Sequence, residues 1–313
     1  MNTYSRIPTR LAAFALMISA LVADAFAQSA FEGTQGAVER SALPIYGGQA
    51  EGFVVASNGN LYAGLGSPSG IFCSTDGGTS WSGPPVGSDF GSIAAVAEGE
   101  TPNTVYMIAG IDAYKSTDAC ASWSQLEASD GNNDFSRAIA YGHDRLLIGR
   151  RDGLIDVSSN NGTSFTATTL SGAITEVLDI AVSPSDDVFF ALGSNNATAL
   201  LFKSIDAGAT WADTGVSGNY RLVGVNPENP GVVVLAGMDL VAISTDGGTT
   251  FNDVTPMGHR RNEITFVDIP NAADRIYVGS NWTSDNGTTW TDINDGATTD
   301  SELNAFLQQD PTT

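Results

Sequence analysis

Short apolar runs, roughly four to six residues each and closed off by Gly, Pro, Asn or Asp, follow one another along the chain with no helical periodicity long enough to compete. They come in pairs. The first member runs Phe53 to Ala56, Ser92 to Ala97, Ala138 to Tyr141, Leu178 to Val182, Leu222 to Val225 and Ile264 to Ile269. The second runs Leu61 to Gly64, Thr104 to Ile108, Leu146 to Gly149, Val188 to Leu192, Val232 to Ala236 and Arg275 to Gly279. Their β-branched and aromatic content predicts strands. A third strand precedes, and a fourth follows, an eight-residue signature that occurs six times. Its copies begin at Ser74, Ser116, Ser158, Ser204, Ser244 and Thr283, so they start 42, 42, 46, 40 and 39 residues apart. That period suits one four-stranded propeller blade. The chain therefore reads as all-β, a six-bladed β-propeller with the signature as the hairpin between the third and fourth strands. The two ends together are nearly long enough to hide a degenerate seventh blade, which is the alternative.

The signature explains itself as a turn. Its third position is Asp76, Asp118, Asn160, Asp206, Asp246 or Asp285, short polar side chains that accept hydrogen bonds from their own turn. Glycine at the fifth position supplies a positive φ. The eighth position, Trp81, Trp123, Phe165, Trp211, Phe251 or Trp290, is an aromatic placed to wedge one unit against the next. A motif repeated in every unit is a folding device rather than six equal calcium sites. Asn160 and the Cys120 that replaces glycine mark the two turns expected to be least regular. On these residues the chain resembles the Asp-box, or bacterial neuraminidase, repeat proteins. Sialidases, xyloglucanases, sortilin-type receptors and photosystem II assembly and stability factors share the motif, and the even spacing looks most like the last group. The resemblance implies a propeller and leaves the chemistry open.

Arg6 and Arg10 precede an apolar run from Leu11 to Val22 that ends in Ala25-Phe26-Ala27, so residues 1–27 read as a secretory signal peptide and the protein as exported, periplasmic or extracellular. Residues 28–49 read as a segment packing on or closing the ring, 50–294 as the propeller and 295–313 as a tail in which Ser301 to Gln309 suits a short helix. Setting aside Arg6, Arg10 and Asp24 leaves 11 basic against 34 acidic residues, a net charge of −23. Such a surface repels nucleic acid and anionic lipid, and no run after the leader is long enough to insert in a membrane. Cys73 and Cys120 are the only cysteines. An intrachain disulfide and two unpaired thiols are both open; equivalent hairpins of neighbouring blades stand apart at the rim, so a bridge requires the Cys120 turn to bend inward.

In this strand order the signature hairpins share one face with the first-to-second turns. The loops entering first strands and the second-to-third turns share the other. That rule sends Arg137, Arg150, Arg151, Arg221, Arg260 and Arg261 to the face opposite the signatures, with Tyr220 and His259 beside them, six of the nine arginines left after the leader. They form a candidate mouth for carboxylate or sulfate groups of a glycan or protein ligand. The competing reading pairs them with Glu51, Asp89, Asp134, Asp152, Glu176, Asp179, Asp239 and Glu263. The resemblance also raises a sialidase-like hydrolase, with an arginine triad, a Tyr–Glu pair and an acid Asp. The only Arg-Ile-Pro match, at Arg6, falls inside the leader, and acidic residues are too abundant to choose two facing carboxylates. With two histidines no zinc or copper cluster is expected, and Asp130 to Asp134 lacks the spacing of a calcium loop. The reading is a binding or assembly propeller with no cofactor or metal and no assignable catalytic residue; the alternative is a glycoside hydrolase.

Overall fold

The computed structural model describes residues 49–67, 69–83, 90, 92–256, 264–267, 273–279 and 281–292. The leader, the tail and the proposed terminal helix lie outside them. The protein is a six-bladed β-propeller, and among the described residues there is no helix. Five sheets have four antiparallel strands in chain order, and the first has three, extended by a bridge between Cys73 and Ser82 where its fourth strand would pair. The innermost strands are Gln49–Val55, Ile93–Glu98, Phe135–Gly142, Glu176–Val182, Tyr220–Val225 and Ile264–Val267. Each neighbours the next round the axis. In the second blade the innermost strand stays half-buried from Ala94 to Glu98, whereas its partner Val105–Ala109 is buried throughout. The inner strands thus line an axial channel and the second strands form the cores.

Those cores lie between blades, not within them. Tyr62 and Cys73 of the first blade pack with Val105 and Met107 of the second, Leu147 and Ile155 of the third with Phe189 and Phe202 of the fourth, and Val234 and Ile243 of the fifth with Ile276 and Val278 of the sixth. Side chains alternate along each strand, so one sheet feeds the cores on both its sides. Removing each large side chain from water contributes ~1.5–3 kcal/mol.

The six signature hairpins share one hydrogen-bond pattern. In the first, Ser74 Oγ donates to Asp76 Oδ1 at 2.8 Å, Gly78 N donates back to Ser74 Oγ at 2.7 Å, and Ser80 closes on the Asp76 carboxylate through its N at 2.8 Å and its Oγ at 2.6 Å. The fourth and sixth repeat it through Ser204, Asp206 and Thr210, and through Thr283, Asp285 and Thr289. The fourth position also has positive φ, even as Ala119 (53°) and Ala207 (55°).

Neither exceptional turn is irregular. Asn160 Oδ1 accepts from Ser158 Oγ and Ser164 N at 2.8 and 2.9 Å, and its Nδ2 donates to Ser164 Oγ at 2.9 Å, so the amide replaces the carboxylate bond for bond. Cys120 holds φ at 75° and still donates its N–H to Ser116 Oγ at 2.9 Å.

Cys73 and Cys120 form a disulfide, with Cα atoms 6.4 Å apart. The rim distance between equivalent hairpins was the wrong quantity. The fifth position of each signature faces the third strand of the preceding blade: a Cβ on Gly248 would stand 2.6 Å from Phe190, and one on Gly287 2.6 Å from Val254. Cys73 is the residue just before a signature, and its counterparts reach across in the same direction. Lys115 Nζ donates to Asn161 O at 3.0 Å and Lys203 Nζ to Gly247 O at 2.7 Å, each in the next blade's signature. Every eighth-position aromatic from Trp123 to Trp290 packs on the core shared with the preceding blade, and Trp211 Nε1 also donates to Thr168 Oγ1 there at 3.2 Å.

Candidate functional face and channel

The face opposite the signatures is tied together by backbone bonds. Phe135 N donates to Ile111 O and Arg151 N to Asp134 O, both at 3.0 Å, joining the loop that enters the third blade to second-to-third turns on either side. On that scaffold the arginines have different fates. Arg150 is not presented to solvent: its side chain is 1% exposed and held by two forks, to Asp130 at 2.9 and 3.1 Å and to Asp152 at 3.2 and 2.7 Å. The buried Asp156 lies 3.6 Å from the same guanidinium. Hydrogen bonds from Arg150 hold the Asp130 carboxyl at about 2, and the aspartates push the Arg150 value up. Asp130 is therefore more than a connector residue, and Arg150 is part of the wall.

Arg137, Arg151 and Arg221 are exposed. Tyr220 is not a surface residue: it is 7% exposed, within the core between the fourth and fifth blades, and burial raises its hydroxyl. Arg260, Arg261 and His259 lie outside the described residues. Arg221 falls at a register shift between Tyr220 and Leu222, a bulge that re-aims a channel strand. Four other innermost strands carry such a shift.

Asp179, read from sequence as an arginine partner, bonds to backbone instead. It follows the bulge in the fourth blade; Oδ1 accepts Ile180 N at 2.9 Å and Oδ2 accepts Val223 N, on the next blade, at 2.8 Å. It is half-buried on the channel wall, with protein on all sides at longer range, and this desolvation pushes its carboxyl up to about 7 against the two hydrogen bonds. Charging it between pH ~4 and ~7 opposes folding. No spacing or motif marks it; only the register does.

A Tyr–Glu pair of the kind a sialidase uses exists on the other side. Tyr106 OH donates to Glu100 Oε2 at 2.8 Å, but Tyr106 is fully buried, and Lys115 Nζ lies 2.7 Å from Glu100 Oε1. Burial raises the Tyr106 hydroxyl far above its ordinary value, so the pair is an interblade clasp. His143, in a first-to-second turn, likewise binds Ser183 O of the next blade at 2.8 Å. Among the described residues no group of His, Cys, Asp or Glu is arranged to hold a metal ion.

No protein-family model and no curated protein matches the chain. Solved structures share the fold. YCF48 bound to D1 peptide is 17% identical with TM-score 0.55, covering 76% of this chain and 78% of its own. The GH74 enzyme of Niastella koreensis is 17% identical with TM-score 0.63, covering 80% of this chain, which spans 37% of that enzyme's length. A nidogen/laminin complex is 11% identical with TM-score 0.53, covering 67% of this chain and 81% of the other. At these identities the likeness is one of β-propeller architecture, in a superfamily that includes both binding proteins and glycoside hydrolases.

Proposed function

We propose that this chain is an exported, non-catalytic binding or assembly propeller of the Asp-box kind, which takes a protein or glycan ligand on the face opposite its signatures. The observation that carries the reading is the division of arginines on that face. Arg150 is locked between Asp130 and Asp152, while Arg137, Arg151 and Arg221 remain exposed on a rigid interblade scaffold. Arginine forks there suit carboxylates of a partner, and a peptide-bound neighbour of similar extent favours protein over glycan. The leader-like residues 1–27 and the disulfide agree with an oxidising, periplasmic or extracellular setting.

The hydrolase reading is weaker. Its best-placed exposed carboxylate pair, Asp130 and Asp152, shares one guanidinium, and neither carboxyl is raised toward the value a general acid needs.

The test is capture by the full chain, cross-linked to exported proteins of the native host. Contacts should map round Arg151 and Arg221, and the double variant Arg151→Ala/Arg221→Ala should lose capture about tenfold with an unchanged thermal midpoint, as expected when two charge-assisted contacts are removed. Contacts on the signature side, unaltered capture, or turnover of fluorogenic glycosides would overturn the proposal.

A further inference from the structure

Asp179 breaks an apolar pattern at mid-height in the channel. At the same register, just after the bulge, the first, second and fifth blades place Gly52, Ala95 and Leu222. One residue further on, the innermost strands place Phe53, Val96, Ile180 and Val223. Around this level Phe53, Ile139, Leu222 and Ile264 are half-buried, so part of each side chain meets the channel. Neutral acceptors suffice for tethering a channel-strand N–H, as Ser136 Oγ does for Ala138 N at 3.4 Å in the third blade. A carboxylate adds a charge in the place where burial opposes it most.

The two N–H donors also leave it incomplete. A carboxylate offers about four acceptor positions, and Asp179 fills one on each oxygen. The titratable groups on the strands packed against it are Glu176 on its own strand, Arg137 and Tyr141 on Phe135–Gly142, Arg145 and Arg150 on Arg145–Arg150, and Tyr220 and Arg221 on Tyr220–Val225; Phe189–Ser194 has none. None of them bonds to it, and no cation among the described residues offsets its burial.

The geometry points to Asp179 as the anchor of a binding site in the channel for an organic cation, an ammonium group carried on an apolar body. The ammonium takes the free acceptor positions, and the hydrocarbon lies against Phe53, Ile139, Leu222 and Ile264. This site stands apart from the loop face, whatever partner that face takes.

The experiment titrates the full chain with n-hexylammonium, following the Asp179 side-chain carboxyl by carbon-13 NMR and the affinity by calorimetry. The expected result is saturable binding that draws the Asp179 midpoint down from about 7 by at least one pH unit, since the cation binds the charged form. Affinity should be ~100-fold weaker at pH 5 than at pH 8, because a group titrating near neutrality is ~1% ionised at the lower value. Asp179→Asn should lose the binding, and n-hexanol should not compete. An undisplaced Asp179 midpoint, pH-independent affinity, or equal binding of n-hexanol would overturn the site. The carboxyl titration uses the unmodified protein, so the test holds whether or not the variant folds.

Discussion

At the scale of single residues, the chain uses one side-chain type for opposite ends. The signature aspartates sit in turns whose N–H and hydroxyl groups point at them, so Asp76 and Asp246 are held at about 2, whereas Asp179 is raised by burial. For the first group the folded value lies below the unfolded one, near 3.9, so their stabilisation is complete above pH ~4 and fades as pH falls toward 2. Asn160 already shows that an amide keeps the turn geometry. Asp246→Asn should therefore fold normally, with a urea midpoint lower than wild type at pH 7 and a gap that closes between pH 4 and pH 2. A gap that is constant with pH would mean that the Asp246 charge contributes nothing to the turn.

At the scale of elements, the unit that matters is the third strand of one blade with the signature of the next. The residue before each signature and the fifth position of the following one form a repeated contact, which Cys73 and Cys120 make covalent and Lys115 and Lys203 make with hydrogen bonds. Between the third and fourth blades the same pair is Val157 and Gly208, where a Cβ on the glycine would stand 3.6 Å from Val157 Cγ2. The double variant Val157→Cys/Gly208→Cys should oxidise to a second disulfide, seen as a two-hydrogen mass loss without reductant, and add about 2–4 kcal/mol if the geometry is unstrained. Two free thiols after air oxidation would show that the contact rule is particular to the first two blades. Strand identity and the signature hairpin were legible in sequence because alternation and turn chemistry are local. The direction in which a signature faces was not, since it depends on how two sheets twist against each other.

At the scale of the whole molecule, a six-bladed ring gives Trp282, the residue before the last signature, the same relation to Gly78 that Cys73 has to Cys120. Trp282→Cys/Gly78→Cys should then close the ring with a bridge inside one chain, running as a monomer on a non-reducing gel, whereas bridged dimers would point to blades exchanged between copies. The period of about forty residues already contained the blade number, the strand order and the two-faced sorting of loops, because each follows from repeating one local unit. It also brought Arg137, Arg150, Arg151 and Arg221 to one face, but could not distinguish a guanidinium enclosed by two aspartates from one open to solvent. That difference, like the Cys73–Cys120 bond and the placement of Asp179 against Val223, joins residues about twenty to forty-seven positions apart. The alternation and spacing of side chains determined the ring; burial and partnership across blades were decided only when the sheets packed, because desolvation depends on every neighbour that folding brings near.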